Sequence, residues 1–176
     1  MGAERAAGGL TPPFLRGHDH ALGAGGPVVL VFGDYEDPES ADAWRGIAAL
    51  RERWDGFTAA WRHLPIGELH PRANGAALAA EGAAAQDRFW DYHDVLLARQ
   101  ESLSVPDLLT YAGEIGLDVA MLMDDMREGR HAERVLDDVR SAVSSGVRAT
   151  PGVFVEGIAL GGWDAELVEG ALRAAA

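Results

Sequence analysis

The sequence predicts an α/β domain, because a strand–helix–strand unit, a block of helices and a hairpin–helix unit follow one another along the chain. A buried strand pattern, an amphipathic helix and a second strand pattern occupy residues 28–64. No strand pattern interrupts residues 71–146, and two short apolar runs around a turn then precede a last helix. Strands that alternate with helices indicate a sheet covered by helical layers. The predicted order is therefore βαβ, several helices and ββα.

The first unit begins with a strand that is apolar on both faces. Residues 28–32 form a continuous apolar, β-branched run between Pro27 and Gly33, as a central buried strand does. After Asp37, apolar side chains recur at helical spacing, which predicts a helix that ends at Gly56. Its apolar face is predicted to contain Trp44, Ile47, Ala48 and Trp54. Residues 57–64 are a second strand, and a crossover of this length predicts parallel pairing.

The middle and end of the chain carry clear start and stop signals. Ser104 and Asp107 form a predicted capping box at the start of one helix of the block. Near the end, residues 153–155 and 158–160 flank Glu156-Gly157, which predicts a tight antiparallel hairpin before a helix capped by Asp164. The apolar stripes on these helices are interpreted as core.

Domain limits follow from composition. Residues 1–26 are rich in Gly, Ala and Pro without periodicity, which predicts a mobile N-terminal arm that settles against the domain near its end. The domain proper is predicted over residues 27–176, with a helical insertion over residues 71–146. A chain of 176 residues fits one domain with one sizeable core.

The charge balance excludes several partners. Asp and Glu number 28 against 15 Lys and Arg, giving a net charge of −13, and no basic stripe offsets it. Such a chain repels phosphate backbones, so nucleic acid is not expected as a partner. The opening residues lack a secretory pattern, and no run of about 20 apolar residues exists, so no membrane insertion and a cytoplasmic location are expected. The oligomeric state is left open by the sequence.

The chain contains no cysteine. Disulfides, thiolate metal sites and cysteine nucleophiles are therefore excluded together.

Several short motifs, in their order along the chain, resemble one known family. The segment 34–40 follows the first strand and carries Pro38 between Asp37 and Ser40. It resembles the segment of DsbA-type thioredoxin-fold proteins in which two cysteines flank a Pro-containing dipeptide, with Asp37 and Ser40 at the cysteine positions. Residues 146–151 match the loop before the family's cis-proline. Further matches to the thioredoxin-like domains fused to some bacterial sodium/proton antiporters are Trp61 to Pro65, His70-Pro71, Gln86, Phe89-Trp90 and His93.

The resemblance implies a thioredoxin-like fold with the DsbA-type helical insertion, but not the family's activity. In the family the first cysteine lies at a helix N-terminus, which stabilises its thiolate. Asp37 at that place is interpreted as an N-cap worth about 1 kcal/mol. The alternative is a general base, for which a carboxylate stabilised in its charged form is poorly suited. Ser40 is weighed as a hydrogen-bond donor to a bound sulfur or as a nucleophile, although no adjacent base is evident.

The leading functional hypothesis is a redox-inactive domain that binds a peptide or protein partner. The resemblance implies a cis peptide bond before Pro151 and a groove in which the backbone of Thr150 pairs with an extended peptide beside Pro38 and Glu39. The acidic residues Asp34, Glu36, Asp37 and Glu39 are expected to favour cationic or neutral ligands.

Other functions stay open. A glutathione-dependent transferase or isomerase would take its thiol from the cofactor glutathione; no other cofactor is expected. A further possibility is that the natural chain carried cysteines that were replaced in this sequence, which would suit the serine at position 40 but not the aspartate at position 37. If the chain were described as a disulfide oxidoreductase, that description would rest on its fold and not on its site residues.

The histidines are interpreted as structural. His93 shares a helical face with large apolar residues, which favours packing over catalysis. His18 and His20 lie in the predicted arm without further ligands at a recognised spacing, so no metal site is expected.

Overall fold

The computed structural model describes residues 10–23 and 25–176. It contains five strands: β1 (His20–Leu22), β2 (Val28–Gly33), β3 (Thr58–His63), β4 (Gly152–Val155) and β5 (Ile158–Gly161). Its seven helices are α1 (Pro38–Arg53), α2 (Ala73–Ala84), α3 (Phe89–Ala98), α4 (Val105–Glu114), α5 (Val119–Glu128), α6 (Ala132–Ser144) and α7 (Ala165–Ala175). The predicted α/β class and element order are confirmed.

One mixed sheet forms the centre of the molecule, with strand order β1-β3-β2-β4-β5. The neighbours β2 and β3 are parallel, in the register Val28 opposite Thr58, as the strand–helix–strand unit predicts. β4 pairs antiparallel with β2 on its other side, and β5 pairs antiparallel with β4. β2 is therefore the middle strand of the sheet.

The two faces of β2 contribute to two separate apolar clusters. Val29 and Val31 pack in the larger cluster together with Ile47 of α1. Leu30 and Phe32 belong to the second cluster, which also contains Phe154 of β4. Since neighbouring side chains on a strand point to opposite faces, an uninterrupted apolar run is what a strand covered on both sides requires.

Helix α1 shows a small difference from its predicted apolar face. Trp44 and Ile47 are buried, but Ala48 is exposed and Leu50 takes its place in the core. The helix ends at Arg53, and Trp54 is its C-cap.

Local signals at the other element ends agree with the structure. Ser104 and Asp107 form the capping box of α4, and Asp164 accepts a hydrogen bond from Leu167 N at the start of α7. Glu156 and Gly157 both have positive φ, 49° and 76°, which is the backbone of a two-residue hairpin turn. The helical insertion runs from α2 to α6, and in the described part of the chain it holds no strand.

The N-terminal segment differs from its prediction. Residues 1–9 of the expected mobile arm lie outside the described residues. Residues 20–22, however, form β1, a strand antiparallel to β3 that the sequence pattern did not predict. Just before it, Asp19 Oδ1 and Oδ2 accept hydrogen bonds of 2.8 and 2.6 Å from Arg62 of β3, and neither side chain is exposed. A buried guanidinium group is costly unless a carboxylate pairs with it. The pairing of Arg62 with Asp19 therefore holds the N-terminal segment against the sheet.

No helix within the described ranges is both long enough and apolar enough to cross a bilayer.

Candidate functional site

The loop between β2 and α1 and the first turn of α1 hold Asp37 and Ser40, the two residues that the resemblance predicts at cysteine positions. Asp37 is the N-cap of α1: Oδ1 accepts from Glu39 N at 3.1 Å and Oδ2 from Ser40 N at 3.0 Å. Ser40 Oγ donates to Asp37 Oδ2 at 2.6 Å and accepts from Asp34 N at 3.2 Å. Both side chains are buried, and the hydroxyl is fully engaged. The N-cap interpretation of Asp37 is confirmed.

Contacts from outside the loop hold it in place. The Asp34 carboxylate is buried, accepts from Glu36 N at 2.8 Å and Ile66 N at 2.9 Å, and lies 2.9 Å from His70 Nδ1. Gln100 Nε2, which follows α3, donates to the carbonyls of Tyr35 at 3.0 Å and Asp37 at 2.8 Å. The sequence carries no local signal for the role of Gln100, because its partners lie more than 60 positions away.

A cavity of about 400 Å³ lies between the start of α1 and the loop before β4. Of the predicted site residues, Glu39, Thr150 and Pro151 line this cavity. Pro38 is exposed but does not line it, and the buried residues Asp37 and Ser40 do not line it either. The Thr150-Pro151 peptide bond is cis. Across the described part of the chain, no backbone hydrogen bond reaches the N–H or C=O of Ala149 or Thr150.

The charge around this cavity differs from the expected acidic field. Asp34 and Asp37 are turned into the protein, and Glu36 Oε2 accepts from Arg72 N at 2.7 Å. Glu39 alone of the four acids lines the cavity, where Arg148 is also present. The sequence predicted a joint acidic field because the four acids are close together in the chain. In the structure, Asp34, Glu36 and Asp37 accept hydrogen bonds from backbone N–H groups, and Glu39 is left at the cavity.

An aromatic cluster packs behind the loop. Tyr35 Oη lies 2.8 Å from His93 Nδ1, and the His93 ring is perpendicular to Trp44, Trp61 and Trp90. Burial, together with nearby His63 and His20, lowers the pKa of His93 well below its ordinary value, so the ring is neutral. Its Nε2 is buried without a hydrogen-bond partner in the described structure. The predicted packing role of His93 agrees with this burial.

A second polar cluster combines three elements that are distant in sequence. His20 Nε2 of β1 and His63 Nε2 of β3 lie 2.8 and 2.9 Å from Glu81 Oε1 of α2. No metal site was expected from the sequence, because His20 was assigned to a mobile arm and Glu81 was not included among the possible ligands. One signal for Glu81 was available, since it is the only charged residue in the alanine-dominated helix α2.

The mixed five-stranded sheet with its helical insertion defines a domain of the thioredoxin-like class. Residues 70–173 match the DSBA-like thioredoxin domain family. The chain belongs to this family.

Relatives of known sequence extend the match toward the N-terminus. The chain is 38% identical over 159 residues, 89% of its length, to a protein of Salinispora tropica named Na(+)/H(+) antiporter NhaA 3. It is 37% identical over 171 residues, 94% of its length, to Na(+)/H(+) antiporter NhaA 1 of Mycolicibacterium vanbaalenii. These matches cover 24% and 28% of the two relatives, so the chain spans about a quarter of the curated relatives it matches.

Solved structures share the fold. A thioredoxin-like oxidoreductase from Silicibacter pomeroyi superposes with a TM-score of 0.82 at 24% identity, over 91% of this chain and 93% of that one. BdbD from Bacillus subtilis gives a TM-score of 0.75 at 20% identity, over 87% and 92% of the two chains. At these identities the similarity shows the fold.

Proposed function

We propose that this domain does not exchange disulfides and that it binds an extended segment of a partner protein in the cavity between Glu39 and Thr150-Pro151. The observation that carries the proposal is the unpaired backbone of Ala149 and Thr150 beside a cavity of about 400 Å³. An exposed, unpaired backbone can add a strand by pairing its N–H and C=O groups with a peptide.

Thiol–disulfide exchange needs a cysteine thiol, which the chain lacks. Thiol–disulfide exchange proceeds by attack of a thiolate on a disulfide and passes through a mixed disulfide. Neither Asp37 nor Ser40 can form that intermediate, and no other residue of the chain is a cysteine. Binding is therefore the property that this scaffold retains.

The cavity wall suits an apolar side chain of the bound segment. Small or apolar residues provide much of it, among them Gly146, Val147, Gly152 and Val153. Glu39 and Arg148 place one negative and one positive charge at the cavity, so these charges offset each other locally. The net charge of −13 therefore acts on a ligand mainly at long range. Neutral and cationic peptides are the favoured class.

The glutathione alternative is not favoured. In such enzymes a serine would donate to the sulfur of the bound cofactor, but Ser40 is buried and its hydrogen is committed to Asp37. A cytoplasmic location stays a prediction.

Peptide binding by the purified chain tests the proposal. Tiled peptides from the extramembrane segments of the Salinispora tropica relative provide the panel, because that relative is named an antiporter and contains a similar domain. Fluorescence anisotropy measures binding. For the tightest peptide, N-methylation of the amide that pairs with Thr150 is expected to weaken binding about five- to tenfold, the value of one hydrogen bond.

A matched pair of variants locates the site. Glu39 and Glu166 are both exposed acids at the second position of a helix, so Glu39→Lys and Glu166→Lys change the net charge and the helix terminus equally. Glu39→Lys should weaken binding of a lysine-containing peptide about two- to fivefold more than Glu166→Lys does. Equal effects of both variants, insensitivity to N-methylation, or no binding across the panel would contradict the proposal.

A further inference from the structure

Three side chains of types that commonly bind metals lie close together, outside the cavity between Glu39 and Thr150-Pro151. One possible ligand atom from each of His20, His63 and Glu81 lies within 4.8 Å of the other two. The side chains are 15%, 1% and 6% exposed, respectively. We infer that His20, His63 and Glu81 form a binding site for one divalent transition-metal ion of the zinc class.

The distances between the ligand atoms are close to those found around a coordinated zinc ion. Zinc binds imidazole nitrogen and carboxylate oxygen at about 2.0–2.2 Å, so ligand atoms of a tetrahedral site lie about 3.4 Å apart. Glu81 Oε1 lies 2.8 Å from His20 Nε2 and 2.9 Å from His63 Nε2. The ligands must separate by roughly half an ångström to admit the ion, and rotation about the flexible Glu81 side chain is the movement that would supply this shift.

The buried charges around the cluster favour a cation. Asp19 is paired with Arg62, and Arg134 forms its close contact with Asp138 through Nη1. Only the Nε of Arg134 reaches Glu81, at 3.8 Å. Three carboxylates thus share two guanidinium groups, and the nearest partners of Glu81 are the two imidazoles. A metal ion bound to Glu81 would add positive charge to this buried set of carboxylates.

Neighbouring rings orient the two histidines. His20 stacks on Phe89, with ring centroids 3.4 Å apart and an interplanar angle of 8°. Trp61 Nε1 donates to His63 Nδ1 at 3.4 Å, so Nε2 is the ring nitrogen directed at Glu81. A metal ion on Nε2 requires the ring proton on Nδ1, so this contact with Trp61 would lengthen when the ion binds.

Solvent can reach the cluster from one side. A surface cavity of about 430 Å³ is lined by His20, Asp87, Trp90 and Asp91. Of the three ligands, His20 lines this cavity, so an ion would approach the cluster from the His20 side, and water would be the fourth ligand as in zinc sites with three protein ligands.

Metal titration of the full chain, after treatment with a chelator, tests the inference. Calorimetry with Zn²⁺ should give one ion per chain, and Co²⁺ should develop the visible absorption bands of a four-coordinate site. Glu81→Gln keeps the shape and hydrogen-bonding capacity of the side chain but removes its charge. Glu81→Gln and His20→Ala should each weaken binding about tenfold or more.

His18→Ala is the matched control, since His18 lies two positions from His20, is exposed, and contacts Asp137 instead of Glu81. It should bind the ion like the unmodified chain, and circular dichroism should show that all variants are folded. Absence of stoichiometric binding, full binding by folded Glu81→Gln and His20→Ala, or equal loss in His18→Ala would each overturn the inference.

Discussion

Ser40 donates a 2.6 Å hydrogen bond to the carboxylate of Asp37, and this contact joins the two residues that the sequence resemblance predicts at the cysteine positions. The carboxylate also accepts from two backbone N–H groups at the start of α1. The N-terminus of α1 thus holds a negative charge on a carboxylate.

Restoring the two thiols should restore redox activity. The double variant Asp37→Cys, Ser40→Cys places both sulfurs on the family's scaffold, with the first at the helix N-terminus that stabilises a thiolate. We expect it to reduce insulin in the presence of a thiol reductant, whereas the unmodified chain stays at the buffer rate. Ser40→Cys alone is the control, and insulin turnover by the unmodified chain would refute its redox inactivity.

Removal of the Asp37 carboxylate should destabilise the protein more than removal of another helix cap. Asp37→Ala takes the cap from α1 and leaves the buried Ser40 hydroxyl without its acceptor, for an expected loss of about 2–3 kcal/mol. Asp164→Ala removes the cap of α7, whose side chain accepts from Leu167 N in an exposed setting, and should cost about 1 kcal/mol. Urea denaturation measures both free energies of unfolding. Equal losses would show that the Ser40 contact adds nothing.

The buried pair between Asp19 and Arg62 should be a major support of the N-terminal segment. Asp19→Asn leaves the Arg62 guanidinium inside the protein without its counter-charge, which is expected to lower the free energy of unfolding by about 3 kcal/mol. Asp42→Asn makes the same chemical change in the exposed pair with Arg45 and should leave stability unchanged within error. Hydrogen exchange of the β1 amides should rise in Asp19→Asn only. A small loss of stability with unchanged exchange would contradict this role of the pair.

His93 should make the protein less stable in mild acid. Its pKa is lowered in the folded protein, so below its unfolded value of about 6.5 the unfolded chain binds a proton that the folded chain does not. The contribution of His93 to stability is therefore complete above about pH 6.5 and is lost as the pH falls, by up to about 1.4 kcal/mol per pH unit.

The variant His93→Gln removes this proton-binding group, while its amide can still pair with Tyr35 Oη. Its free energy of unfolding should decrease less between about pH 7 and pH 5 than that of the unmodified chain. His18→Gln replaces an exposed histidine and should keep the original slope. Parallel pH profiles for His93→Gln and the unmodified chain would rule out the effect.

The sequence by itself determined what depends on composition and on neighbours along the chain. The absence of cysteine excluded thiol chemistry, the apolar run of β2 indicated a doubly covered strand, and Asp37, Ser104 and Asp164 marked helix starts. These signals are local, because strand alternation, helical periodicity and capping each involve residues within a few positions of one another.

Only the tertiary structure decided which distant polar groups meet. Asp19 and Arg62 are 43 positions apart and His20 and Glu81 are 61 apart, so their contacts depend on the pairing of β1 with β3 and on the packing of α2. The same holds for the charge of the cavity beside Thr150 and Pro151, since the turn before α1 directs Asp34 inward and leaves Glu39 at the cavity. Burial forces each charged group to find a partner, and the partner is set by the fold and not by sequence spacing.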